Sequence, residues 1–237
     1  MIAVATWNTE WREPGSRDGR VIRDRLQQHS PDIVCLTEAH VGLLDEWGGF
    51  VAEGSTEWGG PVHGTRRKVL LWSRNPWTAV DVIGSPDLPP GMFAKAETET
   101  VLGPATVIGI VIPFHMANVR SGRRDRKMWE DHQRYLEALP AIIAAQPERT
   151  IVLGDYNQRI PSTWVPRRYQ QMLAEAFAPM NIATTELRGP DGKLLIDHIA
   201  NGPSFIAGDA QVISNIDEDG REISDHVGVV VQFGAAA

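Results

Sequence analysis

The segment Thr150-Ile151-Val152-Leu153-Gly154-Asp155-Tyr156-Asn157 joins an apolar run directly to two polar side chains. The run Ile151–Leu153 is apolar on both alternations, which is typical of a strand covered on both faces. Asp155 and Asn157 follow it at once, where the strand is expected to end. This segment therefore predicts a buried sheet with chemistry placed at one edge.

Similar short apolar runs recur along the chain and predict further strands. They are Ile2–Trp7, Asp32–Leu36, Lys68–Trp72, Ala105–Ile112, Leu194–Ile199, Ala210–Ile213 and Val227–Phe233, with weaker ones at Phe50–Ala52, Trp77–Val82 and Ala94–Val101. Helical spacing predicts helices over Asp18–His29, Arg124–Ala145 and Arg168–Ala178, the second with a kink or break at Pro140. This pattern indicates an α/β fold of two packed sheets flanked by helices, in a single domain over residues 1–237.

The composition is that of an ordinary globular protein, with 42% hydrophobic and 22% charged residues among 237. The formal net charge of −7 argues against a protein that coats nucleic acid non-specifically, but it is compatible with a nuclease that has a local basic patch. A single cysteine, Cys35, excludes an intramolecular disulfide and a cysteine-rich zinc site. The apolar runs are too short for a membrane span and no signal peptide is visible, so we expect a cytoplasmic protein.

Polar side chains follow, interrupt or precede several of the predicted strands. These side chains are Asn8, Glu38, His115, Asp155, Asn157, Asp197, Asp225 and His226. Carboxylate and amide oxygens suit a hard divalent metal, and the histidines add groups for general acid or base catalysis. Taken singly, each has a plainer interpretation: Asn8 as a turn residue, Glu38 as a helix N-terminal acid, and Asp155 with Asn157 as an Asx-turn.

Five short motifs in a fixed order resemble the endonuclease/exonuclease/phosphatase superfamily, which has the DNase I-like fold. They are Thr6-Trp7-Asn8, Leu36-Thr37-Glu38, Gly154-Asp155-Tyr156-Asn157, Ile196-Asp197-His198-Ile199 and Ser224-Asp225-His226. The resemblance runs from residue 2 to about residue 233. It implies a four-layer α/β/β/α sandwich and hydrolysis of a phosphoester that depends on Mg²⁺ or Mn²⁺.

The resemblance also implies metal ligands. Glu38 matches the main metal ligand of the family, and Asn8 beside it contacts the metal or the phosphate. Asp225 is a candidate ligand for a second metal site. Mg²⁺ keeps several waters and takes one or two protein carboxylates, so this small set is sufficient.

The same resemblance assigns catalytic roles. Asp155 would orient or deprotonate the attacking water, and Asn157 would donate a hydrogen bond to the phosphate as its negative charge develops. His226 would contact that phosphate or transfer a proton. Asp197 would hold the His226 imidazole in one tautomer, and a buried aspartate needs such a partner in any case.

His115 matches a histidine that acts as general acid in the DNase I and sphingomyelinase-like branches. In DNase I an upstream glutamate supports this histidine, whereas the corresponding residues 65–69 of this chain contain no acid. Another residue therefore orients His115, or His115 simply binds phosphate. The abasic-site repair branch usually has arginine two residues before the matched aspartate, and Leu195 here argues against a repair endonuclease.

A basic segment follows His115 closely and suggests a phosphate clamp at the rim of the site, with a solvated loop as the alternative. Its candidate substrate-binding residues are Arg120, Arg123 and Arg124. The remaining histidines, His29, His40, His63, His132 and His198, are expected to be structural. The eight tryptophans are expected mostly in the core or in the walls of the site, because no spacing among them marks a stacking platform.

Three functions compete at this point. The first is a nuclease or phosphodiesterase that cleaves DNA or RNA with little sequence preference. The second is a phosphatase or phosphodiesterase for a small or lipid-linked phosphoester. The third is a scaffold that has lost catalysis, which the presence of Glu38, Asp155 and His226 disfavours. The sequence leaves the substrate and the oligomeric state open.

Overall fold

The computed structural model describes residues 1–58, 64–119 and 127–236. Within them the chain forms twelve strands and three α-helices. The strands are β1 Ile2–Asn8, β2 Ile33–His40, β3 Phe50–Glu53, β4 Arg66–Ser73, β5 Trp77–Asp81, β6 Phe93–Thr100, β7 Gly103–Val111, β8 Thr150–Asp155, β9 Asn181–Ile182, β10 Asp197–Asn201, β11 Phe205–Ile213 and β12 Gly228–Ala235. The helices are α1 Arg17–Gln28, α2 Glu130–Ala144 and α3 Arg167–Ala176.

The strands form two mixed sheets of six strands each. The first has the order β11-β12-β1-β2-β4-β3 and the second β5-β6-β7-β8-β10-β9. In each sheet one parallel pair, β1 with β2 and β7 with β8, lies at the centre among antiparallel neighbours. The carboxyl ends of these parallel strands point to the same edge of their sheet, which is where the polar residues of the motifs emerge.

Hydrophobic burial explains why the sheets stack. Inward residues of the first sheet, such as Cys35 and Leu71, join those of the second and the faces of α2 and α3 in one large core. A smaller core lies on the other face of the first sheet, where Ile22 and Leu26 of α1 pack against Trp7. The order of layers is therefore helix, sheet, sheet, helices, which confirms the predicted four-layer α/β/β/α sandwich.

Close packing of the two sheets leaves room only for glycine at one position. A Cβ atom added to Gly109 in β7 would lie 2.6 Å from Val69 Cγ1, 2.9 Å from Leu71 Cδ2 and 3.0 Å from the Cys35 Sγ of the facing sheet. These distances are shorter than van der Waals contact, so a side chain at this position would push the sheets apart.

The second predicted helix was wrong at its start. It begins at Glu130 rather than Arg124, because Trp129 adopts a left-handed backbone (φ 71°) and donates its N–H to the His115 carbonyl at 2.7 Å. Met128, which falls within the predicted helix, precedes the observed one and is 56% exposed. The helix also continues through Pro140 without a break.

Two strands also differ from prediction. Leu194 forms an isolated bridge with Arg188 that closes a hairpin, and Leu195 and Ile196 follow it outside the strand, so β10 begins only at Asp197. β11 begins at Phe205 rather than Ala210, with a bulge between Ala207 and Ala210 that interrupts the apolar alternation. Among the described residues, no helix is long and apolar enough to cross a lipid bilayer.

Candidate active site

The two sheets each contribute side chains to one place at their common edge. Asn8 is the last residue of β1 and Glu38 lies near the end of β2, both in the first sheet. Asp155 ends β8 and Asp197 begins β10 in the second sheet. The antiparallel register sets Asp197 directly opposite Asp155, so two carboxylates from distant parts of the sequence become neighbours.

Asp155, Asp197 and His226 form the centre of this site. One nitrogen or oxygen atom from each lies within 4.8 Å of the others. His226 Nδ1 lies 2.5 Å from Asp197 Oδ2, which supplies the partner that the buried aspartate required. Asp155 and Asp197 are 3% and 1% exposed, so both carboxylates are held almost out of water.

His226 is fixed by the chain around it as well as by Asp197. Its backbone N–H donates to Ser224 Oγ at 3.2 Å, and Ser224 Oγ donates to the Asn8 carbonyl at 2.8 Å. The His226 carbonyl accepts from Trp7 Nε1 at 2.9 Å. These bonds attach the Ser224-Asp225-His226 motif to the end of β1 and bring the two motifs to one place.

Three N–H groups orient the Asp155 carboxylate. The Asn157 backbone N–H donates to Oδ1 at 2.9 Å, while Asn157 Nδ2 and Asn8 Nδ2 donate to Oδ2 at 3.0 and 3.3 Å. Asn157 Nδ2 also donates to the Ile112 carbonyl at 2.9 Å. Both amide hydrogens of Asn157 are thus engaged, which leaves its Oδ1 as the free side-chain group. The Asx-turn expected as the plainer interpretation is present, and it positions the carboxylate.

The glycine before Asp155 is required by the same geometry. Gly154 has a φ of 136°, and a Cβ atom there would lie 2.1 Å from the Ile110 carbonyl oxygen of β7. Only glycine adopts this conformation so close to a neighbouring strand. Gly154 therefore sets the direction in which Asp155 leaves the sheet.

Burial and neighbouring charges together raise the pKa values of both His226 and Asp155. Burial alone lowers the pKa of His226, but the charges of Asp197, Asp155 and Asp225 outweigh it and raise that pKa to about 10. Burial raises the pKa of Asp155 to about 7, opposed by the positive His226. The surrounding carboxylates therefore favour the charged form of the imidazole, with Nδ1 facing Asp197 at 2.5 Å.

Glu38 is held by Lys68, a residue that sequence reasoning did not single out. The β2–β4 ladder pairs Thr37 with Val69 and Ala39 with Arg67, so Glu38 lies opposite Lys68. Lys68 Nζ is 2.6 Å from Glu38 Oε1, and the two side chains are 18% and 24% exposed. No local pattern indicates this pair, because it depends on the register between two strands.

The backbone at Glu38 is also unusual. It has a positive φ of 47°, a conformation that is rare for residues other than glycine. Its carbonyl accepts from the Trp11 N–H at 2.7 Å and from Thr9 Oγ1 at 2.9 Å, and these bonds stabilise the turned backbone. The interpretation of Glu38 as a helix N-terminal acid was wrong, since it lies within β2.

The donor set fits a hard divalent cation. Carboxylate and amide oxygens of Glu38, Asn8, Asp155 and Asp197 converge at this edge, and such oxygens are the ligands that Mg²⁺ and Mn²⁺ prefer. Asp197 Oδ1 is buried and has no hydrogen-bond partner within the part of the chain described. Asp225, the other expected ligand, is 65% exposed and lies 3.8 Å from His226 Nε2.

His115 lies among aromatic rings at the end of β7. Ring centroids of Phe114, Trp129 and Trp164 are 5.8, 5.4 and 5.0 Å from its imidazole. Trp129 in turn stacks on Tyr169 at 4.7 Å, and it is itself 6% exposed. Phe114 and Trp164 are 41% and 50% exposed, so they form an aromatic wall beside His115. The tryptophans were expected in the core or in the walls of the site, but the grouping of Trp129 and Trp164 around His115 could not be predicted, because these residues are far apart along the chain.

The expected phosphate clamp lies outside the described residues. Arg120, Arg123 and Arg124 all belong to residues 120–126. Their role in binding substrate therefore stays a prediction.

A model of the endonuclease/exonuclease/phosphatase family matches residues 5–226. The chain belongs to this family. Its members are hydrolases that act on phosphoester bonds, and they generally depend on divalent metal ions. The match covers every motif from Asn8 to His226.

Solved structures with low sequence identity share the fold. An AP endonuclease from Archaeoglobus fulgidus superposes with a TM-score of 0.72 at 17% identity, over 98% of this chain and 99% of that chain. The 3′ phosphatase NExo from Neisseria, bound to a product DNA hairpin, gives 0.71 at 19% identity, over 99% of this chain and 100% of that chain. TDP2 from D. rerio, in complex with a single-strand DNA product, gives 0.68 at 15% identity, over 98% of each chain. A search of curated proteins found no match.

Proposed function

We propose that this protein is a divalent-metal-dependent phosphodiesterase that cleaves nucleic acid with little sequence preference. The observation that carries the proposal is the buried cluster of Asp155, Asp197 and His226 at the seam of the two sheets. It combines an oriented carboxylate with a cationic imidazole, the groups needed to activate water and to stabilise a negatively charged phosphate.

Asp155 accepts the proton of the attacking water in this proposal. Its carboxylate is held by three N–H donors from Asn157 and Asn8, so its orientation is set before substrate binds. Asn157 acts as a positioning residue, because both of its amide hydrogens are engaged by protein acceptors. This differs from direct donation to the phosphate, the role that the family resemblance implied.

His226 stabilises the phosphate. With Nδ1 bonded to Asp197 at 2.5 Å, the imidazole directs its Nε2–H outward from the buried pair. A charged donor of this kind is strongest at the phosphoryl oxygens, where negative charge develops in the transition state. His115, near the end of the neighbouring β7, protonates the leaving oxygen or contacts the same phosphate.

Glu38, Asn8 and Asp225 are the residues that would hold Mg²⁺ or Mn²⁺, with Asp197 Oδ1 as a further buried oxygen near them. A bound cation would neutralise charge on the phosphoryl oxygens and on the leaving group. Lys68 is already paired with Glu38 and keeps this carboxylate fixed in the protein alone.

Two surface features favour nucleic acid over a small phosphoester. The aromatic wall of Phe114 and Trp164 beside His115 offers rings on which bases can stack, and such stacking is tolerant of sequence. On the other side of the site, Trp11 stacks on Trp58 and carries the cationic groups of Arg66 and Lys68 at 5.3 and 5.2 Å from its ring centroid. The DNA bound to NExo and to TDP2 is consistent with this choice.

Turnover of plasmid DNA, a short single-stranded RNA and bis(p-nitrophenyl) phosphate tests the proposal. Each substrate is incubated with Mg²⁺, with Mn²⁺ and with excess chelator. Glu38→Gln and Asp155→Asn should each lower kcat by at least ~10²-fold, the scale for losing one transition-state contact. Asp209→Asn makes the same chemical change at an exposed position on β11 and serves as the matched control.

We expect hydrolysis of a polynucleotide with a divalent metal and none with chelator. Full activity in excess chelator would rule out the metal-dependent mechanism. Hydrolysis of bis(p-nitrophenyl) phosphate without cleavage of DNA or RNA would replace the proposal with the small or lipid-linked phosphoester. Absence of turnover on all three substrates would support a non-catalytic scaffold.

A further inference from the structure

A cleft of about 200 Å³ opens directly beside the Asp197–His226 pair. One wall is the hairpin closed by the Arg188–Leu194 bridge, and the other is the loop closed by the Ile216–Glu222 bridge. Arg159 lies in its lining, two residues after Asn157 in the loop that leaves β8. The cleft therefore continues from the place proposed for the scissile phosphate.

The acidic side chains that line this cleft have partners. Asp197 pairs with His226, Asp191 accepts from Lys193 Nζ at 2.8 Å, and Glu222 accepts from Asn215 Nδ2 at 3.2 Å. The fourth, Asp225, lies 3.8 Å from His226 Nε2.

Two cationic side chains of the same cleft, Lys193 and His226, are the partners of Asp191 and Asp197. The third, Arg159, has no such partner among the described residues. Arg159 is half-buried, and within residues 1–58, 64–119 and 127–236 its guanidinium makes no hydrogen bond, ion pair or ring contact. A guanidinium that has lost part of its hydration without gaining an acceptor is costly, and its planar fork matches the two oxygens of a phosphate. Among the described residues Arg159 is therefore an unpaired cation that lies in the cleft beside the Asp197–His226 pair.

We propose that Arg159 binds the phosphate adjacent to the scissile one, so that the cleft is a subsite for the neighbouring nucleotide. This inference rests on the proposed function and deepens it. Apolar side chains such as Leu195, Ile216 and Val227 also line the cleft and suit the sugar or base of that nucleotide. The volume is below the range of typical pockets for drug-sized ligands, which fits a single nucleotide better than a large headgroup.

The test compares cleavage of the central linkage in three dinucleotides. One is thymidylyl-thymidine with a single phosphate, and the others carry an added methyl phosphodiester at the 5′ or at the 3′ end. In the wild type, one added phosphate should raise kcat/KM by about 10-fold, the value of one charge-assisted hydrogen bond of ~1.5 kcal/mol. Arg159→Gln should reduce the ratio of kcat/KM with and without the added phosphate to about 1. Arg159→Lys should restore part of the 10-fold rise.

Arg188→Gln is the matched control. It removes the same charge from the hairpin that borders the cleft, but Arg188 is exposed and is not part of the lining. Its ratio should equal that of the wild type, which separates a direct contact from a general electrostatic effect. Thermal unfolding of each variant verifies that the fold is kept.

Two failures are distinguishable. The first failure requires that the central linkage is cleaved. If neither added phosphate then raises kcat/KM, or if Arg159→Gln keeps the wild-type ratio, the subsite is refuted while the proposed nuclease stands. If bis(p-nitrophenyl) phosphate is hydrolysed and no dinucleotide or polynucleotide is cleaved, the proposed function fails and the nucleotide subsite fails with it.

Discussion

Asp197→Asn offers a direct test of the idea that Asp197 and His226 work as one unit. The substitution keeps the shape of a side chain that is 1% exposed, but removes the negative charge 2.5 Å from His226 Nδ1. The imidazole then loses both its orientation and the main charge that keeps it cationic. Loss of one charged donor to a transition state costs about 10²- to 10³-fold in kcat, or about 3–4 kcal/mol.

The double variant that combines Asp197→Asn with His226→Ala distinguishes a shared role from two independent roles. If Asp197 acts only through His226, removing both side chains should cost no more than removing His226 alone, since residues that form one unit are not additive. We therefore expect Asp197→Asn, His226→Ala and the double variant all to lose about 10²- to 10³-fold. Independent roles would instead give about 10⁴-fold or more for the double variant.

Initial rates on bis(p-nitrophenyl) phosphate at saturating Mg²⁺ measure these losses, with Asp209→Asn as the control for an exposed aspartate. Urea unfolding separates lost catalysis from lost fold. A double variant whose loss equals the product of the two single losses would refute the reasoning, as would an Asp197→Asn variant with wild-type kcat.

Three further outcomes follow from the structure. Lys68→Met should tighten the binding of Mn²⁺ by about 5-fold, as measured by calorimetry. The substitution removes a half-buried cation that competes with the metal at Glu38 and whose interaction is worth about 1 kcal/mol. Weaker binding of Mn²⁺ would contradict this. Gly154→Ala should lower the free energy of unfolding by about 3 kcal/mol or more, because it adds both backbone strain and a steric clash. An unchanged midpoint of urea unfolding would contradict this prediction. His132 and His198 are buried and their folded-state pKa values are lowered by that burial to about 4. The unfolded chain therefore binds more protons, and stability should fall as pH drops from about 6.5 towards 4, by ~2 kcal/mol per histidine at pH 5; urea unfolding that is unchanged between pH 8 and pH 5 would exclude this.

The layered fold was predictable because burial on both faces leaves a plain record in the sequence. Runs such as Ile33–Leu36 and Ile151–Leu153 have no polar alternation, and their shortness and β-branched residues favour a strand covered on both faces. The polar residues at strand ends were visible for the same reason. Asn8 and Asp155 follow apolar runs that could not accommodate them inside the core.

What escaped prediction depends on contacts between distant segments. The start of α2 is set by a hydrogen bond from Trp129 to the His115 carbonyl, and the pairing of Lys68 with Glu38 is set by strand register. Neither leaves a local pattern. Arg159 was missed because its only distinction is the absence of a partner in the described structure, a property that no sequence motif carries.

The placement of the site at the seam of the sheets has a physical consequence. Within the site, two hydrogen bonds reach a carboxylate of the second sheet from the side of the first sheet: His226 with Asp197, and Asn8 with Asp155. Asn8 ends β1 and His226 lies just before β12, and each stabilises a buried carboxylate for which burial without a partner is costly. The geometry of the cluster therefore depends on the packing of the whole sandwich. Asp155 and Asp197 face each other across β8 and β10, and separation of the sheets would remove the Asn8 donor from Asp155 and His226 from Asp197 at once.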